Sequence, residues 1–171
     1  MSASHPRHFV LVHGLWHGGW CWDRVAPILR ARGHEVTAIT HTGLGERSHL
    51  LSKDISVDTF VADVVNTLVW RDLSDVVLVG HSFGGIPITG AADAVPERIG
   101  KLVFLDAAVV EDGESWFGLL PEEIADARRK QGEESSGGVS LPVGPVENFD
   151  ITDTDDKAFL EARLTPHPMG T

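Results

Sequence analysis

The sequence predicts an α/β fold, with a mostly parallel sheet and helices on both of its faces. Four short runs are nearly continuous in apolar or β-branched residues, which is typical of strands buried on both faces. Segments with apolar residues at helical spacing separate these runs. The alternation of strand and helix indicates right-handed βαβ units, and 171 residues are enough for one domain with its own core.

The predicted strands are the four apolar runs, at residues 9–12, 36–39, 76–79 and 102–105. The predicted helices between them are at residues 23–32, 58–70 and 83–94. The first helix places Val25, Ile28 and Leu29 on one face and ends at Gly33 as a C-cap residue. Asp58 is the N-cap candidate of the second helix.

The sequence changes character after Asp106, because residues 111–171 contain no convincing strand. This part of the chain predicts a polar helix at 121–131, a mobile loop rich in Gly, Ser, Pro and Glu at 131–145, and a short helix at about 154–164 capped by Asp153 or Thr154. We therefore divide the chain into the N-terminal part of a core, residues 1–110, and a helical lid over the sheet, residues 111–171.

The motif Gly80-His81-Ser82-Phe83-Gly84 identifies a candidate nucleophile, Ser82. This G-x-S-x-G lies directly after a predicted buried strand and directly before a predicted helix, which is the context that the motif requires. A nucleophile on so sharp a turn needs a strained backbone, and glycines on either side leave room because they have no Cβ. The helix that follows directs its positive N-terminal end at the same point.

A Gly-rich loop that begins His13-Gly14-Leu15 follows the first predicted strand. Acyl transfer needs two N–H donors aimed at the developing oxyanion. We expect one donor from Phe83, the residue after the nucleophile, and the other from Leu15. We expect Trp16, His17 and His81 to line the substrate pocket.

The chain resembles the α/β-hydrolase superfamily, and more narrowly the branch of plant methyl esterases and hydroxynitrile lyases with their bacterial relatives. The matching stretches are FVLVHGLWHGGWCW from Phe9, GHEVTAIT from Gly33, TGLGERSHLL from Thr42, VVLVGHSFGG from Val76 and LTPHP from Leu164. The resemblance implies that Leu15 is the second oxyanion donor and that an acid and then a histidine follow later strands.

No later strand is predicted after Asp106, so we expect the catalytic acid and histidine to lie beyond Thr171. Two residues within the chain are weaker candidates for these roles. His167 is the last histidine, but it lies between two prolines and is interpreted as part of the lid. Asp106 follows the fourth predicted strand. It would serve as the acid only if the acid in this chain follows an earlier strand than is usual for the fold.

Composition excludes several classes of partner. A formal net charge of −11 argues against nucleic acid or an anionic membrane, both of which attract clustered Lys and Arg. Cys21 is the single cysteine, which fits a reducing cytoplasm, and we expect a cytoplasmic protein. No metal is expected, since His13 and His17 lie in a loop rather than on a helix, and no cofactor is expected, since no nucleotide-binding fingerprint is present.

The leading hypothesis is an enzyme that hydrolyses small hydrophobic carboxylic esters through an acyl-enzyme on Ser82. Two alternatives remain open. One is a non-catalytic binding module that keeps the pocket without a base. The other is a hydroxynitrile-lyase-like enzyme of the same fold, which requires a lysine in the part after the acid. The fourth predicted strand has no predicted neighbour on one side, so we also expect a homo-oligomer or a second chain that completes the fold.

Overall fold

Four parallel strands form the central sheet in the structure, a computed structural model that describes residues 5–171. They are β1 (His8–Val12), β2 (Glu35–Ile39), β3 (Val76–His81) and β4 (Ile99–Leu105), and their order in the sheet is β2-β1-β3-β4. The predicted strands are confirmed, and β4 begins three residues earlier than predicted because Ile99 already pairs with Val76. The carboxyl ends of β1 and β3 lie side by side at the centre of the sheet, where Val12 pairs with Gly80.

Helices cover both faces of this sheet, as predicted. They are α1 (Val25–Ala31), α2 (Val57–Trp70) and α3 (Gly85–Ala94). Side chains of β1 and β3 alternate between two apolar clusters because successive residues of a strand point to opposite faces. One cluster joins Val10 and Leu78 to Val64 of α2 and Ile88 of α3. The other joins Leu11 and Val77 to Trp22 and to Leu29 of α1.

The ends of the helices differ in detail from the prediction. α2 begins after Ser56, whose side chain and that of Thr59 form a reciprocal capping box, so the prediction of Asp58 as N-cap is wrong. A 3₁₀ turn at Gly19–Trp22 precedes α1, which ends at Ala31 before Gly33 adopts a φ of +85°. Within residues 5–171, none of the helices is both long and apolar enough to cross a bilayer.

Residues 111–171 form two helices and a small sheet. The helices are α4 (Glu122–Ser136) and α5 (Thr154–Glu161), and Asp153 caps α5 as predicted. The sheet pairs β5 (Ser140–Leu141) with β6 (His167–Pro168) in antiparallel register. The expectation of no strand in this region is therefore wrong, and so is the loop predicted from residue 131. Strands of two residues are too short for any hydrophobic period to indicate them.

Apolar surface remains exposed along one side of the described structure. Within residues 5–171, β4 has a neighbour on one side only, and the side chain of Leu105 is 49% exposed. Val25 and Ile28, which were placed on one helix face with Leu29, are 40% and 52% exposed. Leu29 alone of the three predicted residues packs into the cluster of α1 and the sheet.

We expect this exposed edge to make the 171-residue chain self-associate, because an unpaired apolar strand pairs readily with another chain. Replacing Leu105 by Lys, a residue that blunts edge strands, should shift the chain toward monomer in light scattering. Leu50→Lys is the matched control, since Leu50 is 44% exposed but lies outside the sheet. A wild-type chain that stays monomeric at every concentration would contradict the prediction.

Candidate active site

Ser82 follows β3 directly and adopts a left-handed backbone, with a φ of +54°. A 3₁₀ turn at Ser82–Gly84 then leads into α3. Positive φ is unfavourable for a residue with a side chain and persists only where the surroundings impose it. The Ser82 carbonyl accepts a hydrogen bond from the Ala108 N–H at 2.9 Å, which ties this turn to the chain after β4. The strand–turn–helix geometry that the motif predicts is therefore present.

The glycines beside Ser82 are required by close backbone contacts. A Cβ on Gly80 would lie 2.5 Å from the Gly84 carbonyl oxygen and 2.8 Å from Ile88. A Cβ on Gly84 would lie 2.8 Å from the His13 carbonyl oxygen. All three distances are shorter than real Cβ contacts allow, which explains why a side chain is excluded at each position.

The loop after β1 packs directly against the Ser82 turn. A Cβ on Gly14 would lie 2.9 Å from the Ser82 Cβ. The preceding His13 is fully buried, and its Nδ1–H donates to the Gly14 carbonyl at 2.8 Å while Nε2 accepts from the His41 N–H at 3.2 Å. Burial, with help from the nearby His41, lowers the pKa of His13 well below its usual value. A neutral His13 therefore joins the loops after β1 and β2.

The two residues expected to donate to an oxyanion share one apolar cluster. Leu15 and Phe83 pack there with Leu44, Ile55, Phe60 and Ile86. The Leu15 carbonyl accepts a hydrogen bond from the His17 Nδ1–H at 2.6 Å. The next N–H of the loop, that of Trp16, donates to His167 Nδ1 at 3.4 Å. The Trp16 N–H is therefore committed elsewhere, which leaves Leu15 as the candidate donor from this loop.

Two of the three expected pocket residues share a cavity. His17 and His81 line a space of about 210 Å³ with Trp22 and Leu105. His17 also lines a neighbouring space of about 220 Å³ beside Trp20 and Phe159.

Trp16 packs against the apolar cluster of Leu15 and Phe83, and its ring approaches that of Phe149. Cys21 lines both cavities, and burial raises the pKa of its thiol to about 12, so it remains protonated and a poor nucleophile.

Where the histidines around this turn form hydrogen bonds through their ring nitrogens, the partners are groups other than Ser82. His13 bonds to the Gly14 carbonyl and the His41 N–H, His17 bonds to the Leu15 carbonyl, and His167 bonds to Trp16 and Thr171. The His81 ring packs edge-on against Trp22, and burial lowers its pKa although Asp106 opposes the shift. Within residues 5–171 no histidine contacts the Ser82 hydroxyl in the manner of a general base.

A polar network under the loop after β2 was missed by the sequence analysis. Asp63 of α2 accepts from the Thr42 N–H at 2.6 Å, the Thr42 hydroxyl at 2.9 Å and Arg47 at 3.1 Å. Oδ2, the oxygen that accepts from the Thr42 N–H, also lies 3.5 Å from Nδ1 of the buried His41. Burial alone would raise the pKa of Asp63, but the hydrogen bonds from His41 and Thr42 lower it. The sequence signal that could have revealed this network is Asp63 itself, a carboxylate among the apolar residues of α2.

Comparison with known proteins relates this chain to alpha/beta hydrolases. The model of the alpha/beta hydrolase family matches residues 9–168. A carbendazim hydrolyzing esterase of Nocardioides sp. (strain SG-4G) is 39% identical over 96% of this chain, which spans 70% of that protein. An alpha-hydroxynitrile lyase of Arabidopsis thaliana is 42% identical over 96% of the chain, which spans 61% of it.

Among solved structures, an extracellular alpha/beta-hydrolase from a Paenibacillus species superposes with a TM-score of 0.84 at 31% identity. The match covers 95% of this chain and 67% of that one, which is described as sharing structural and functional homology with tobacco salicylic acid binding protein 2. The chain thus spans roughly two thirds of the length of these relatives.

Proposed function

Because the chain belongs to the alpha/beta hydrolase family, we propose that it hydrolyses small hydrophobic carboxylic esters through an acyl-enzyme on Ser82. The observation that carries the proposal is the strained Ser82 turn, at a φ of +54° between β3 and α3 and packed against the loop after β1. The names of the relatives, an esterase among them, support the substrate class.

In the proposed reaction the Ser82 oxygen attacks the ester carbonyl carbon and gives its proton to a general base. The Leu15 and Phe83 N–H groups stabilise the negative charge on the carbonyl oxygen. The C–O bond to the alcohol then breaks, and the base returns the proton to the leaving alcohol. Water attacks the acyl-enzyme in the same way and releases the carboxylic acid and free Ser82.

The base is the component that the described contacts do not supply. A serine hydroxyl is a weak nucleophile without one. In this proposal the base comes from another part of the protein or from a second chain. Free imidazole should then substitute for it.

We expect a fluorophosphonate probe to add once to the 171-residue chain and not at all to Ser82→Ala, as measured by intact mass. Adduct formation should become faster as imidazole is added, because imidazole supplies the missing base. Ser74→Ala is the control, since Ser74 is exposed and precedes β3, whereas Ser82 follows that strand.

Three other results of the labelling experiment would each lead to a different conclusion. An adduct whose rate does not depend on imidazole would mean that residues 1–171, or an associated copy, already supply the base. An adduct that persists in Ser82→Ala would refute the assignment of the nucleophile. No adduct at any imidazole concentration would refute the hydrolase and favour a non-catalytic binding module.

A second candidate function is cleavage of cyanohydrins, which the 42% identity to the Arabidopsis lyase favours. The same chain would then release cyanide from mandelonitrile, and esters would be poor substrates. Parallel measurement of cyanide from mandelonitrile and of nitrophenolate from p-nitrophenyl acetate separates the two functions.

A further inference from the structure

Residues 165–168, the strap, hold the backbone of Trp16 from both sides. The Thr165 N–H donates to the Trp16 carbonyl at 3.0 Å, and the Trp16 N–H donates to His167 Nδ1 at 3.4 Å. The Thr165 hydroxyl also accepts from the Gly45 N–H at 3.0 Å, so the strap contacts the loop after β2 as well. Trp16 needs such support because its φ is +64°.

The side chain of Trp16 is held by the same small sheet. Its indole N–H donates to the Leu141 carbonyl at 3.3 Å, and Leu141 pairs with His167 between β5 and β6. Backbone and side chain of Trp16 are therefore both fixed by residues 111–171. The Leu15 carbonyl and the Trp16 N–H belong to one peptide unit. Holding Trp16 therefore also holds the backbone that directly follows the Leu15 N–H.

The His167 ring also contacts the second expected donor residue. It is 2% exposed and packs edge-on against Phe83, with 4.9 Å between the ring centroids, and against Phe60 at 5.7 Å. One side chain thus touches the loop of Leu15 and the turn of Phe83.

Neighbouring hydrogen bonds fix the tautomer of this ring. The Thr171 hydroxyl donates its proton to the Pro168 carbonyl at 2.9 Å, so it can only accept from His167 Nε2, also at 2.9 Å. The proton therefore lies on Nε2, and Nδ1 is free to accept from Trp16. Burial and the nearby His41 lower the pKa of His167 to about 3, so the ring stays neutral.

We infer that His167 is a positioning residue that aligns the two N–H donors of the oxyanion site, with Thr171 setting the tautomer in which it can do so. This inference rests on the proposed function, since it assigns a role within that reaction. His167 does not exchange protons with the substrate. It holds Leu15 and Phe83 in place through Trp16 and through ring contact.

Paired variants at Thr171 and His167 test the inference. Thr171→Val removes the hydroxyl with little change of volume, and Thr171→Ser keeps it. His167→Phe keeps a ring without an acceptor, and His167→Asn keeps an acceptor near the position of Nδ1. We expect Thr171→Val and His167→Phe to lower the maximal rate of phosphonylation of Ser82 by about tenfold, less than full loss of one donor, which costs roughly 10²–10³. The probe concentration at half-maximal rate should not change, and Thr171→Ser and His167→Asn should stay within about threefold of wild type.

Two further measurements do not depend on Ser82 chemistry. Long-range ¹H–¹⁵N spectra should show the Nε2–H tautomer of His167 in wild type and Thr171→Ser, and its loss in Thr171→Val. Hydrogen exchange of the Trp16 amide should become at least tenfold faster in Thr171→Val and His167→Phe.

If wild type shows the tautomer and the protected amide but never labels at Ser82, the proposed function fails while the structural clamp stands. If His167→Phe and Thr171→Val both label at the wild-type rate with an unchanged Trp16 amide, the inference is overturned and the proposed function is untouched.

Discussion

We expect Gly80→Ala to lower the free energy of unfolding by about 3 kcal/mol, the upper range for overpacking a close-packed site. The added Cβ would meet the Gly84 carbonyl carbon and oxygen at 2.7 and 2.5 Å, and these are backbone atoms that no rotamer change can move. The strand and the following turn must therefore separate. For a chain of this size the melting temperature should fall by roughly 10 °C, measured by circular dichroism.

Gly118→Ala is the matched control for this prediction. A Cβ on Gly118 would meet only the Ser115 hydroxyl oxygen, at an ordinary 3.6 Å. We expect its melting temperature to remain within about 2 °C of wild type, since exposed substitutions change stability by less than about 0.5 kcal/mol. Equal melting temperatures for both variants would refute the close contact between Gly80 and Gly84.

We expect the second large effect in acid, where three buried histidines destabilise the fold. Burial lowers the pKa values of His13, His41 and His167 in the folded chain, although the hydrogen bond and charge of Asp63 oppose the shift at His41. The unfolded chain binds their protons near pH 6.5, so it holds more protons than the folded chain below that pH. The free energy of unfolding is therefore undiminished by these histidines above pH 6.5. It decreases as the pH falls toward their pKa values in the folded chain, which is about 3 for His167.

Each such histidine should cost roughly 1.4 kcal/mol per pH unit within this window. Urea unfolding at pH 7.5, 6.5, 5.5 and 4.5 measures the slope directly. His167→Asn should reduce the slope by the contribution of one proton whatever its effect at pH 7.5, and His49→Gln, at an exposed position, is the control. Stability that does not change between pH 7.5 and 5 would contradict the prediction.

The sequence was sufficient to predict the parts of the fold that repeat a strong local pattern. Each strand of the main sheet is a nearly continuous apolar run, so the strands were evident from the sequence, and the burial expected of them is found in the central strands β1 and β3 but not along β4. The turn at Ser82 was predictable for a similar reason. Gly80 and Gly84 occur at the two positions where other backbone atoms approach too closely for a side chain.

The contacts between distant segments could not be predicted in this way. β5 and β6 are two residues long and join positions that no periodicity connects. The role of His167 depends on Trp16, 151 residues away, and the role of Asp63 depends on Thr42 and Arg47 across a loop. Exposure of Ile28 depends on what packs against α1, which its own helical spacing does not encode.

The contact between the strap and Trp16 also sets an order of assembly. β1 lies between β2 and β3, so the sheet can pair as soon as Val77 has emerged from the ribosome beside Phe9. The backbone of Trp16 is nevertheless held by Thr165 and by His167, which is synthesised 151 residues after Trp16. The sheet that carries Ser82 should therefore form during translation, while the loop of Leu15 and Trp16 stays mobile until synthesis of the strap is complete.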